Sequence, residues 1–231
     1  MMAPKNAAGG AKGDMRKRQK RKPMAKRRQG LASRERLLDA AEKLFARYGF
    51  NGVSVRQIVH AAKVNLGAVP YHFGTKEELF KAVIYRRALP LRAEREQRIQ
   101  NLLGNGKKPE LEELLWALLE PAFRASRENE SFRRLLGRAS TDPTPEVRKL
   151  MAEIYNSEFM VVPKELRKAN ANLADDVFYW RLNCFYGVML FVLADTGKIQ
   201  TIAGKGFDTS RPEVALKYVI PFLAAGFRAA M

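Results

Sequence analysis

Residues 64–76 read VNLGAVPYHFGTK, and within them Tyr71 and His72 are adjacent groups that could serve as acid and base. Such work needs a nucleophile or carboxylate placed to exchange the proton. No Ser, Cys or carboxylate stands in a motif relation to His72, so catalysis has little support. The residues around the pair suit another chemistry. Ser54, Arg56, Gln57, Asn65, Tyr71, His72, Thr75 and Lys76 are polar or cationic groups able to meet phosphates or base edges, while Leu66, Gly67, Ala68 and Val69 are small or apolar enough for close approach to a groove. Pro70 is the odd member. In a helix opened by Asn65 it falls at about the fifth position, where it forfeits the bond to the Leu66 carbonyl.

The elements that must position these residues follow from periodicity and caps. Leu37, Leu38, Ala41, Leu44, Phe45 and Tyr48 share one helical face, with Ser33 as the expected N-cap and Gly49 as the stop. Ser54 and Gln57 have the spacing of a capping box and open a short helix over Val55–Ala62. Asn65 is expected to cap a third helix running to about His72. Thr75 and Glu78 form a further box ahead of Leu79, Phe80, Val83, Ile84 and Leu89. Two short helices joined by a tight turn are the pattern of a helix-turn-helix, whose second helix enters the major groove of duplex DNA. The helix starts at Ser54, Asn65 and Thr75 are then expected to converge on one strip of phosphates.

Charge agrees with a polyanionic partner. The 231-residue chain carries a formal +18, and residues 1–33 hold eleven Lys or Arg against the single acid Asp14. A segment so poor in apolar residues is expected to be a disordered basic arm over 1–32, lying along phosphates. A solvated tail or a membrane-surface contact is the plainer reading of that arm. The single Cys184 excludes an intramolecular disulfide and a zinc cluster; it is expected in the core and fits a reducing cytoplasm. The longest apolar run, Cys184 to Ala194, is too short to span a bilayer, so a soluble, cytoplasmic protein without cofactor or metal is expected.

Beyond Pro90 the pattern stays helical. Leu111 to Leu119 mark one helix that Pro121 should kink or end; Phe132, Leu135 and Leu136 mark a short one, and Val147 to Phe159 another after the TDPTPE loop. Two apolar segments follow, Asp175–Ala194 and Ser210–Arg228, the second opened by a Ser210/Glu213 box, with a Gly-rich loop between them. No alternating strand pattern or fixed repeat occurs. The fold class is all-α: a helix-turn-helix domain over 33–80, then a larger helical domain over 81–231.

The segments SRERLLDAAEKLFARYGF, SVRQIVHAA and VNLGAVPYHFGTKEELF together resemble the DNA-binding domain of the TetR family of transcriptional regulators, from about Ser33 to Ile84. The resemblance implies phosphate contacts for Tyr71 and Lys76, phosphate or base contacts for Ser54 and Arg56, and base reading by the third helix. Lys63 departs from the family, standing where the turn usually has Gly; a left-handed backbone there costs about 1 kcal/mol. Pro70 stands where many members have Tyr or Asn, so base preference should differ. The segments FYWRLNCFYGVML and YVIPFLAAGFRA, with AVPYHFG, are similar to the fatty-acid-responsive PsrA-type branch.

That second resemblance implies a homodimer through the last two helices and a pocket for an apolar small molecule, a fatty acid or acyl derivative. Trp116, Phe123, Tyr155, Phe159, Phe178, Asn183 and Met189 are the candidate lining, although aromatics at helical spacing usually form core. The expected function is a ligand-responsive repressor that binds a palindromic double-stranded operator with reading helices about 34 Å apart. An α-helical enzyme or lipid carrier with a basic tail, and an architectural DNA-binding protein without an effector, are the alternatives.

Overall fold

The computed structural model describes residues 12–104, 106, 108–158, 160–194, 198–204, 206 and 212–230. Among them are eleven α-helices and no strand: α1 (Lys12–Tyr48), α2 (Val55–Ala62), α3 (Ala68–Phe73), α4 (Lys76–Leu103), α5 (Leu111–Glu128), α6 (Glu130–Thr141), α7 (Pro145–Glu158), α8 (Val161–Ala169), α9 (Asp175–Ala194), α10 (Lys198–Ala203) and α11 (Pro212–Arg228). Positions 1–11 of the expected arm, Phe159 and Ser210 of the expected box lie outside the described residues.

Two apolar clusters organise the chain. The first joins Leu37, Leu38 and Phe45 of α1, Ile58 of α2, Val69 of α3 and Leu79, Phe80 and Val83 of α4 to Phe132 and Leu135 of α6 and to Val147 and Ile154 of α7. The rings of Phe45, Phe50 and Phe80 meet at its centre, with centroids 5.2–5.9 Å apart. The second cluster holds Leu115, Leu118 and Phe123 of α5, Leu166 of α8, Phe178 and Phe185 of α9, and Leu223 and Phe227 of α11. The expected division at residue 80 is therefore not a division of the core: α4 runs across it, and α6 and α7 share the first cluster with the helix-turn-helix.

Polar contacts reinforce the same junction. Glu42 on α1 is buried and accepts from Arg86 Nη2 at 2.7 Å, from Arg87 Nε at 3.1 Å and from Asn129 Nδ2 at 2.9 Å. Burial alone would raise its pKa, but Arg87, Arg86 and Asn129 outweigh that and hold the carboxyl below its ordinary value. Arg138 on α6 donates to the Arg47 carbonyl at 2.9 Å, and Lys81 reaches Glu153 on α7 at 2.9 Å.

Several expected boundaries move. α1 begins at Lys12, so residues 12–32 continue the first helix instead of forming a disordered arm, and Ser33 is not its cap. A composition too polar to build a core does not prevent a helix from extending. A helix already nucleated on Leu37–Phe45 needs only propensity to propagate, and Lys, Arg, Gln, Met and Ala supply it. Pro90 lies inside α4 and Pro121 inside α5 without ending either helix. Each forfeits one backbone bond, which packing on both sides outweighs. The Gly-rich segment after α9 contains the short helix α10, and Cys184 is exposed instead of buried. At the far end, Arg181 of α9 donates to the carbonyls of Phe227 and Ala229, fixing α9 against the end of α11. Tyr179 and Trp180 on α9 and Tyr218 and Phe222 on α11 remain exposed.

Candidate nucleic-acid interface

The α2 start is built as the sequence predicts. Ser54 takes an extended backbone, its side chain accepts from Gln57 N, and Gln57 Oε1 accepts from Ser54 N at 2.7 Å, completing the capping box. α2 buries Ile58, Val59 and Ala62 and leaves Arg56, Gln57 and His60 on its exposed side. Its end is the left-handed Lys63, at φ 52, the only described residue other than glycine with positive φ. The strain that the Lys-for-Gly departure implied is therefore present.

The start of α3 differs from expectation. Its N-cap is Gly67, and Asn65 makes no side-chain cap; the Asn65 carbonyl accepts from Ala68 N at 3.1 Å, which closes a turn ahead of the helix. Of the three helix starts expected to converge, only Ser54 and Thr75 are side-chain caps. This shift changes the meaning of Pro70. It becomes the third residue of a six-residue helix, where the first N–H groups have no intrahelical partner in any case. The cost assigned to it from a start at Asn65 does not arise, and Tyr71 N and Gly74 N make the regular bonds around it, to the Gly67 and Pro70 carbonyls at 3.1 Å each.

The exposed and buried faces of α3 are clearly separated. Leu66 is 53% and Tyr71 81% exposed, and Gly67 and Pro70 lie on the same open side. Ala68 is only 8% exposed and packs with Val69 in the first core, so its side chain supports the helix and does not meet a base. His72 also faces inward. Its Nε2 lies 2.8 Å from Ser33 Oγ on α1, and burial, then the nearby Arg34, lower its pKa. This contact ties the end of α3 to α1.

Beyond α3, Gly74 adopts φ 81, a left-handed turn that leads to Thr75. Thr75 Oγ1 accepts from Glu78 N at 3.2 Å, which is half of the expected box; the Glu78 carboxylate pairs with Lys81 at 2.7 Å instead. Lys76, the first residue of α4, holds its Nζ 4.1 Å above the Phe50 ring. The ring face attracts the ammonium and fixes the long side chain, whose pKa burial lowers. Ser54, Arg56, Leu66, Tyr71, Thr75 and Lys76 thus stand on three successive helix starts and turns around an exposed α3. Such a surface offers donors and cations to a phosphate strip on either side of a helix that can enter a groove.

This geometry coincides with a matched family region. Residues 37–83 match the family described as bacterial regulatory proteins, tetR family, and residues 116–226 match a tetracyclin repressor-like C-terminal domain. The chain belongs to the TetR family. Its resemblance to curated TetR-type proteins is concentrated in the head: it is 41% identical over 51 residues to the transcriptional repressor AcnR of Corynebacterium efficiens, 22% of this chain and 27% of that protein. It is 39% identical over 66 residues to the repressor NicS of Pseudomonas putida, 29% of this chain and 31% of that protein. The chain thus spans about a third or less of the length of these relatives. Over the whole TetR fold, it is similar to the fatty acid degradation regulator FadR of Bacillus halodurans, with TM-score 0.63 and 15% identity, covering 83% of this chain and 98% of that one. FadR of Bacillus subtilis in complex with stearoyl-CoA gives TM-score 0.64 and 15% identity, with the same coverage. At such identity the likeness is one of fold.

Behind the TetR head, a cavity of about 90 Å³ lies between α4, α5, α6, α7, α8 and α9. Of the candidate lining residues, Tyr155 and Met189 border it. Phe123 and Phe178 are filled into the second core, while Trp116 and Asn183 face outward, so these four do not form its wall. Arg95, Phe132, Arg133 and Tyr186 also line it, with no local sequence signal that marks them. Among the described residues no group of three His, Cys, Asp or Glu could hold a metal, and no helix is long and apolar enough to cross a membrane.

Proposed function

We propose that this protein is a dimeric, ligand-responsive transcriptional repressor, which binds a palindromic operator in double-stranded DNA and releases it when an apolar small molecule, a fatty acid or acyl derivative, enters the bundle. The observation that carries this reading is the exposed α3 framed by Ser54, Tyr71, Thr75 and Lys76 on a rigid three-ring core. The repressor names of the curated relatives and the stearoyl-CoA bound by one structural neighbour support it. Cytoplasmic action follows from the DNA partner.

The route from effector to DNA runs through α6 and α4. Phe132, Arg133, Leu136 and Gly137 of α6 border the cavity, while Asn129 and Arg138 of the same segment hold Glu42 and the Arg47 carbonyl of α1. A ligand that moves α6 therefore moves α1, and a dimer converts that movement into a new separation of its two reading helices. The exposed Tyr179, Trp180, Tyr218 and Phe222 on α9 and α11 support the dimer through the last two helices, since such a face is costly in a monomer.

The test is fluorescence anisotropy of the full chain on its own promoter region. Binding above that of random duplex at moderate salt, reversed by an acyl ligand, is the expected result. Equal affinity for promoter and random duplex would exclude specific regulation, and binding indifferent to every ligand would favour an architectural protein.

A further inference from the structure

The wall of the cavity is apolar over most of its extent, with Leu91, Phe132, Phe185, Met189 and Leu193 among its members. Into it α4 brings Arg95, which is 7% exposed. Its Nε donates to the Leu118 carbonyl at 2.7 Å. Among the described residues, its terminal nitrogens Nη1 and Nη2 have neither a hydrogen-bond nor an ion-pair partner. Glu94, next in sequence, is turned to Arg98 and Arg124 at 2.8 and 2.7 Å, so it acts on Arg95 only through space and forms no ion pair with it. Arg133, the other cation of the wall, donates to the Leu193 carbonyl at 3.1 Å and pairs with the Glu130 carboxylate at 3.9 Å.

A guanidinium held from water without a counter-ion is unfavourable, and a plain core would have Leu or Met at this place. Burial lowers the pKa of Arg95 to about 10, which leaves it charged at neutral pH. Tyr186 lines the same cavity near enough to feel that charge, and its own pKa, pushed up to about 12 by burial, keeps its hydroxyl a donor.

We infer that the cavity takes an amphiphile with one carboxylate head, bound by Nη1 and Nη2 of Arg95 with the Tyr186 hydroxyl, and with its alkyl tail against Leu91, Phe132, Phe185 and Met189. A planar guanidinium with one nitrogen already engaged matches the two oxygens of a carboxylate. One unpaired charge favours a monoanion over a phosphate dianion. Size narrows the class further. By the same measure one water takes about 10–15 Å³, so the space holds roughly six to nine water-sized groups, the bulk of a medium-length chain. This deepens the effector reading above and rests on it only for the consequence on DNA.

Binding is therefore measured without DNA, by calorimetry of the full chain with octanoate, 1-octanol and octyl phosphate, in wild type, Arg95→Met and Tyr186→Phe. Octanoate is expected to bind wild type about ten- to a hundredfold more tightly than octanol. Arg95→Met should abolish that preference while retaining octanol, and Tyr186→Phe should reduce it severalfold. Equal binding of octanoate and octanol to wild type, or no binding of either, overturns the inference whatever the variants do. A preference that survives in Arg95→Met overturns the role of Arg95, and tighter binding of octyl phosphate overturns the carboxylate. Promoter anisotropy on the same preparation separates these outcomes from failure of the regulator reading, because DNA binding by the unliganded protein does not depend on them.

Discussion

Ser33 Oγ on α1 stands 2.8 Å from His72 Nε2 at the end of the reading helix, and the same hydroxyl donates to the Gly30 carbonyl at 2.8 Å. A hydroxyl has one proton and the carbonyl can only accept, so His72 must donate through Nε2–H. The contact ties the orientation of α3 to the long first helix. Ser33→Ala should leave that N–H unpaired, with a loss of about 1 kcal/mol in denaturant unfolding and weaker operator binding. Unchanged stability and affinity would show that α3 is held by its apolar face alone.

The protonation of His72 gives a pH signature. Its folded pKa lies below that of the unfolded chain, through burial and then Arg34, so the neutral ring is the form the fold favours. That contribution is present above the unfolded value, about 6.5, and is lost as pH falls through the lower folded value. Thermal denaturation of wild type between pH 7 and pH 5 should therefore show a decline that His72→Gln, which keeps an N–H donor, flattens.

Lys76 contributes to both links. Lys76→Ala should weaken binding to all duplexes alike and reduce the salt slope by about one ion, while costing about 0.5–1 kcal/mol of stability through the lost contact with Phe50. Titration at several salt concentrations reads the first effect and thermal unfolding the second. An unchanged salt slope would remove Lys76 from the phosphate contacts.

Leu66 and Ala68 are two residues apart and should respond in opposite ways. Substitution of the exposed Leu66 should alter base preference with little effect on stability, whereas Ala68→Leu overfills the buried site and should cost about 1–3 kcal/mol. Selection from a randomised duplex pool with Leu66 variants, beside melting curves for both positions, checks the pair.

Glu42 joins α1, α4 and α6. Glu42→Gln leaves Arg86 and Arg87 without their shared carboxylate and should cost about 3 kcal/mol. Because its folded pKa is depressed, its contribution is present above the unfolded value, about 4.3, and disappears as pH falls through the folded one. Acid titration of stability in wild type and Glu42→Gln should converge below that range. A constant gap would assign the loss to packing.

What the sequence reveals about this molecule depends on the range over which each signal acts. The Ser54–Gln57 box and the span of α2 are legible because both partners lie within four residues, and the YHFGTK motif falls within the matched family region for the same local reason. Asn65 misleads because its carbonyl closes a turn by accepting from Ala68 N, and Ala68 is held in the core. Arg95 is invisible in EREQR, a run of alternating charges in which only the closing of α5 and α9 decides which cation is buried. Trp116 misleads in the opposite sense, since a large ring suggests an interior that the fold does not give it.

The single apolar cluster shared by α1–α4 with α6 and α7 limits how this protein can be divided. Phe132, Leu135, Val147 and Ile154 complete the interior on which Phe45 and Phe80 rest. A fragment cut after residue 80 would expose that interior, and a hybrid joining this head to a foreign effector bundle would inherit a mismatched seam. Recombination that swaps sensing domains between regulators would here have to carry α6 and α7 along with the head, so that the unit of exchange is larger than the unit that reads DNA.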